Sequence, residues 1–152
     1  MPRFHTSRIV SHPASAMFNL VADVESYPKF LPLCRDLKVR RRSLLPDGRE
    51  VLVAEMEVGY RAIRERFTSR VTLDRESREI LVEYISGPFR HLENIWQFNE
   101  VGHESSDVEF DIAYEFKSRA FALLVGGIFE AAFRRFAEAF ESRADLVYGG
   151  AG

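Results

Sequence analysis

The sequence predicts an α+β fold in which a curved antiparallel sheet wraps around one long C-terminal helix. Three observations predict it. From Leu37 to Phe116 apolar residues recur with period two, in runs separated by short turns. From Ser118 to Tyr148 the period becomes helical, with an apolar stripe too broad for a small contact. The 152 residues also hold 13 phenylalanines against 1 tryptophan and 5 tyrosines, so a large, purely apolar interior must be filled.

Taken in order, Arg3 to Val10 reads as a first strand, ended by Pro13. Ser15 can cap a short helix over Ala16 to Val24, with Met17, Leu20, Val21 and Val24 at helical spacing. The stretch YPKFLPLC, Tyr27 to Cys34, contains two prolines and reads as a stiff apolar loop. Six strands follow: Leu37 to Leu45, Glu50 to Val58, Ala62 to Leu73, Glu79 to Ile85, His91 to Asn99 and Ser106 to Phe116. The turns between them are Pro46-Asp47-Gly48, Gly59, Asp74-Arg75, Gly87-Pro88 and Gly102. Connections this short imply consecutive antiparallel pairing. In the last helix Phe121, Leu124, Val125, Ile128, Phe129, Ala132, Phe133, Phe136 and Phe140 form the stripe. Only the concave face of the sheet is large enough to cover it, and an elongated cavity between the two is the natural result. Residues 1–148 read as a single domain, and the Gly-rich 149–152 as a flexible tail.

Composition narrows the function. The net charge of −2 argues against a protein that coats nucleic acid, and no DNA partner is expected. Cys34 stands alone, which excludes an internal disulfide and any multi-cysteine metal site; it reads as a small packed residue. The longest uncharged apolar run, Ala120 to Phe129, is ten residues, far below the ~20 of a spanning helix. A cytoplasmic protein is expected, with at most peripheral contact at the inner face of the membrane. No nucleophile elbow, phosphate loop, dinucleotide fingerprint or zinc-protease motif is present, and His5, His12, His91 and His103 lack ligand spacing. No catalytic residue, metal ligand or catalytic cofactor is therefore assigned. Glu55, Glu57 and Glu65 among Arg61, Arg64, Arg66 and Arg70 read as cross-strand charge pairs. Arg143 points at the apolar stripe and reads as structural, held by a buried carboxylate or the helix's last carbonyls.

Four segments resemble the coenzyme Q-binding START-like family, whose bacterial members include the ribosome-association toxin type. They are YPKFLPLC, ERFTSRVTL from Glu65 to Leu73, GPFRHLENIWQF from Gly87 to Phe98, and AFESRADLVYG from Ala139 to Gly149. The resemblance implies a helix-grip fold, START or birch-allergen-like, with a hydrophobic tunnel for ubiquinone or a related polyprenyl lipid. It also implies a binding or chaperone role supporting respiration. Family members that block joining of ribosomal subunits supply a second reading with the large ribosomal subunit as partner, and related cyclases a third.

Inward parity nominates the tunnel wall: Leu92, Asn94, Trp96, Phe98, Phe110 and Tyr114 on the sheet, with Phe121, Leu124, Val125, Phe129 and Phe133 on the helix. Trp96 reads either as a stacking wall for a quinone ring or as plain core. Asn94 and Tyr114 can bond a quinone oxygen, or else the backbone or trapped water. Gly126-Gly127 costs roughly 2 kcal/mol of helix propensity relative to alanine and suggests a hinge or kink where lipid enters. Phe30, Leu31, Pro32 and Leu33 read as a tunnel mouth that touches membrane, or as a loop packed over the end of the sheet. Arg35, Lys38, Arg40, Arg41 and Arg42 form a basic surface, either a solvated strand face or a site for anionic headgroups or ribosomal phosphates.

Overall fold

The computed structural model of the protein describes residues 2–149. Of the tail expected over 149–152, all but Gly149 lies outside those residues. The elements run β1 (Arg3–Val10), α1 (Ala14–Ala22), a 3₁₀ helix (Val24–Lys29), β2 (Cys34–Leu44), β3 (Glu50–Tyr60), β4 (Ile63–Asp74), β5 (Glu79–Ser86), β6 (Phe89–Gly102), β7 (Ser105–Phe116) and α2 (Arg119–Tyr148). The strands form one antiparallel sheet in the order β1-β7-β6-β5-β4-β3-β2. The consecutive pairing expected from the turns is therefore observed, and β1 is added beside β7.

Alternation decides which face is buried. Along β7, Ser106, Val108, Phe110, Ile112, Tyr114 and Phe116 are buried, while Asp107, Glu109, Asp111 and Glu115 face outward. Along β6 the buried set is Phe89, Leu92, Asn94, Trp96 and Phe98. The helix α2 lies against this face through Val125, Phe129, Ala132, Phe133, Ala137, Phe140 and Ala144. Phe89 sits at the centre of the aromatic packing, its ring centroid 5.7 Å from Phe67, 4.9 Å from Phe116 and 5.9 Å from Phe129. The expected cross-strand charge pairing forms in part: Glu57 lies 3.5 Å from Arg64 and from Arg66, and Glu55 lies 3.5 Å from Arg66 but accepts from Arg40 at 2.8 Å. Arg70 meets Glu83 at 2.9 Å, and Glu65 and Arg61 have no ion pair among the described residues.

Two local expectations are corrected. Ser15 is not the cap of α1. Pro13 holds that position with φ −60°, its carbonyl accepting from the Met17 amide at 3.1 Å, so the helix begins two residues earlier. A fixed proline φ suits the entry to a helix, where the missing N–H costs nothing. The loop Tyr27 to Cys34 is not irregular throughout, because Pro28 lies inside the 3₁₀ helix.

The two ends of α2 are held differently. Near its C-terminus, His12 Nε2 lies 2.6 Å from Asp145 Oδ1, Arg8 Nε meets Glu141 at 2.5 Å, and Tyr148 donates to the Ala16 carbonyl at 3.1 Å. Near its N-terminus, Ser118 caps the helix by accepting from the Phe121 amide at 3.1 Å. The helix α2 is continuous through Gly126 and Gly127. A Cβ at either glycine would meet nothing within 4 Å. Gly126→Ala and Gly127→Ala are each expected to stabilise the protein by about 0.5–1 kcal/mol, read as a higher urea midpoint. A lower midpoint would show that these positions pack against something.

Candidate ligand cavity

Between α2 and the sheet lies a cavity of about 80 Å³. Its floor is the inner face of β3 to β6, with Ala54, Met56, Val71, Val82 and Trp96 among the side chains. Its roof is Phe129, Ala132, Phe133, Phe136 and Phe140 of α2, and Leu31, Pro32 and Leu33 close one end. Three of these, Pro32, Leu33 and Ala132, also face an outer groove, so single side chains part the cavity from that groove there. Leu33 holds it with φ 68°, a left-handed conformation uncommon for a bulky side chain.

The wall is apolar apart from a few groups. The Tyr27 hydroxyl donates to the Val21 carbonyl, and burial pushes its pKa above the ordinary phenol value, with Cys34 and Asp23 adding smaller contributions. Asn94, 8% exposed, donates from Nδ2 to the Asp111 carbonyl at 3.0 Å. Ser69, 6% exposed, has no side-chain hydrogen bond among the described residues. No carboxylate, imidazole or ammonium lines the cavity among the described residues. Nor do those residues bring together three His, Cys, Asp or Glu side chains able to hold a metal.

Of the nominated residues, Leu92, Asn94, Trp96, Phe129 and Phe133 line the cavity. Phe98 and Phe110 are buried beside Trp96, Phe98 stacked parallel to it at 6.1 Å between centroids and Phe110 tilted against it at 4.7 Å. Phe121 packs edge-on against Phe116, and Val125 lines a small hollow beside Tyr60. Tyr114 is buried but borders a separate hollow with Phe4, Gly126 and Arg134 on the other side of α2. Leu124 is overturned as an inward residue: it is 65% exposed, and Leu123 is 88% exposed. The buried stripe runs through 125, 129, 132 and 133, with Phe121 half-buried before it, and the helix rotation of about 100° per residue carries 124 onto the rim.

The loop also sits differently from an exposed mouth. Leu31 is 5% exposed, and Phe30 packs edge-on against Tyr27 and Phe140 at 6.2 and 5.1 Å. Arg143 lies over the Phe30 ring at 5.4 Å, with no carboxylate or terminal carbonyl partner among the described residues. Cys34 is buried, and burial, helped by Asp36, pushes its thiol up to about 12, which leaves it protonated at neutral pH.

The basic surface is largely committed. Arg40 pairs with Glu55, Arg42 with Glu25 and Glu50, and Lys38 reaches Asp36 at 4.0 Å. Arg35 and Arg41 have no carboxylate at ion-pair distance among the described residues. These residues lie on β2, an edge of the sheet with register shifts at Cys34/Asp36 and Val39/Arg41.

Sequence reasoning missed Ser69, Ala54, Met56 and Val82. The signal for Ser69 was present, since it shares strand parity with Val71 and Leu73 and is the one hydroxyl in that buried series.

Comparison with known proteins agrees with this architecture. Residues 10–141 match the family model described as polyketide cyclase / dehydrase and lipid transport. The ribosome association toxin RatA of Pseudomonas aeruginosa is 32% identical over 94% of this chain and 95% of its own length. The mitochondrial coenzyme Q-binding protein COQ10 homolog B of Xenopus laevis is 28% identical over 96% of this chain and 59% of its own length. Among solved structures, an 18 kDa protein of Caulobacter crescentus superposes with a TM-score of 0.79 at 31% identity, covering 99% of this chain and all of that one. A START superfamily protein of Mycobacterium smegmatis gives 0.79 at 19% identity, covering 95% and 98% of the two chains. The Zhui aromatase/cyclase of Streptomyces sp. R1128 gives 0.76 at 18% identity and 98% of each, and at such identities the likeness concerns the fold alone. A seven-stranded sheet gripping a C-terminal helix, over a match that spans most of the sequence, makes the chain a member of the polyketide cyclase / dehydrase and lipid transport family, with a START-like helix-grip fold.

Proposed function

We propose that the protein binds ubiquinone or a related polyprenyl lipid, sheltering the isoprenoid tail from water as a carrier or chaperone. The observation that carries this reading is the cavity under α2, apolar throughout except for Tyr27, Ser69 and Asn94. Each methylene moved from water into such a wall contributes about 0.8 kcal/mol. A wall without carboxylate, imidazole or ammonium suits binding better than the acid–base chemistry of a cyclase. The printed name of the Xenopus laevis relative supports a quinone as the lipid.

At about 80 Å³ the cavity is well below the roughly 300–1,000 Å³ typical of ligand pockets. Binding a prenylated ring therefore needs displacement of part of the wall. The Leu31–Leu33 loop and the N-terminal half of α2 are the parts to move, since the C-terminal half is held by His12–Asp145 and Arg8–Glu141.

Gentle purification from the native host, organic extraction and mass spectrometry test the proposal. Near-stoichiometric polyprenyl quinone is expected in the extract. Ala132→Leu, which projects into the cavity, is expected to lower it at least about tenfold while the protein stays folded. An extract without quinone, and no uptake when quinone is added back, overturns the reading.

A second reading, contact with the large ribosomal subunit, is favoured by the name of the Pseudomonas aeruginosa relative and its nearly full-length match. Of the basic surface on β2, Arg35 and Arg41 have no carboxylate at ion-pair distance among the described residues and can meet phosphate. Comigration with that subunit on a gradient at moderate salt, lost in Arg35→Glu/Arg41→Glu, would support it.

A further inference from the structure

We infer that the cavity selects a ligand head bearing a hydroxyl donor, a hydroquinone or phenol in preference to the corresponding quinone. The inference rests on the lipid-binding reading above and adds the chemistry of the head.

The argument begins with Asn94. Its side chain is 8% exposed and lines the cavity. Its contact at 3.0 Å is with the Asp111 carbonyl, which can only accept, so the group facing that oxygen has to be the amide nitrogen. That fixes the orientation of the amide. Oδ1 is left with no donor among the described residues, yet it is not a sealed, unpaired atom, because no fully buried side-chain oxygen there lacks a partner. Its open side is the cavity.

A ligand that covers Oδ1 removes it from water. An apolar tail there leaves the acceptor unsatisfied, and a quinone carbonyl sets lone pairs against lone pairs. A hydroxyl donates to it and removes the penalty. Ser69, on the same inner face, has a hydroxyl that rotates to donate or accept, and the Trp96 indole N–H can donate to a carbonyl or a hydroxyl oxygen alike, so both tolerate either oxidation state. The sheet order places β5 between Ser69 on β4 and Asn94 on β6. Asn94 is in register with Val71, through Val82, so Ser69 lies two strand spacings across and two residues along from it, about 12 Å between backbones, and their side chains face the same interior from two sides. The selection falls on Asn94.

The test uses the full chain and three short-chain prenyl probes: a para-hydroquinone kept reduced under anaerobic conditions, its quinone, and the matching prenyl hydrocarbon without a ring. Calorimetric titration is expected to give at least about tenfold tighter binding for the hydroquinone than for the quinone. Asn94→Leu is expected to bring hydroquinone affinity down to the quinone level. Should that variant fold poorly, the wild-type redox pair decides the matter by itself, as does the midpoint potential of the bound couple, which preferential binding of the reduced form raises. Equal affinity for quinone and hydroquinone in the wild type overturns this inference and leaves the lipid-binding reading standing. Failure of all three probes to bind overturns both.

Discussion

Gly87→Ala is expected to destabilise the protein by about 4 kcal/mol, combining backbone strain of about 1–3 kcal/mol with overpacking of about 1–3 kcal/mol. The turn between β5 and β6 holds Gly87 at φ +141°, where an L side chain is strained. Space is the second obstacle. An added Cβ would stand 2.5 Å from Phe67 Cβ, 2.9 Å from Phe67 Cα and 2.9 Å from the Arg66 carbonyl oxygen. Two of those atoms belong to the β4 backbone, so no rotamer change relieves the clash. Phe67 meets Phe89 edge-on, which carries the disturbance into the central aromatic packing and the cavity wall. Urea unfolding of Gly87→Ala beside Gly126→Ala makes the comparison, since the same added methyl meets open space at the second site. A loss below about 1 kcal/mol at Gly87 would show that β4 yields.

Phe140→Ala is expected to cost about 3–5 kcal/mol, the range for truncating a buried aromatic. Phe140 is buried where three parts of the molecule meet, with ring centroids 5.2 Å from Tyr27, 5.1 Å from Phe30 and 5.1 Å from Trp96. It joins the 3₁₀ helix and the loop to α2 and to the sheet. Phe140→Leu, which keeps most of the volume, is expected to cost less than about 1.5 kcal/mol. Denaturant midpoints of the pair check the difference, and similar values for both would show that the three contacts do not act together. Because Phe140 also lines the cavity, the alanine variant enlarges it.

Much of the fold was legible because strand and helix periods are properties of consecutive residues. The alternation of Val108, Phe110, Ile112, Tyr114 and Phe116 fixed their face, and all five are buried. What period cannot tell is which space on that face a residue borders. Tyr114 and Asn94 share the inner face, yet Asn94 borders the cavity and Tyr114 a hollow on the other side of α2. That outcome depends on where the helix crosses the sheet. Leu124 failed for a related reason, since a stripe drawn broadly along a helix includes rim positions that only the docking angle excludes. The charge of Arg40 and Arg42 was plain from the residues, but the carboxylates that engage them come from Glu55 on β3 and Glu25 on the 3₁₀ helix, set by register and by the chain's return path.

The same edge strand bears on how copies of the protein behave toward one another. An open strand offers its backbone N–H and C=O groups to any other strand that arrives beside it, and growth by that route ends in aggregates. On β2, Lys38, Arg40, Arg41 and Arg42 are exposed, and two register shifts break the straight run of backbone that a newcomer would need. A second copy approaching edge-on would press its own arginines against these and find the ladder out of step. The basic run thus keeps a sheet with so many aromatic residues from adding strands without limit, a service to dispersal in a crowded solution that needs no partner at all.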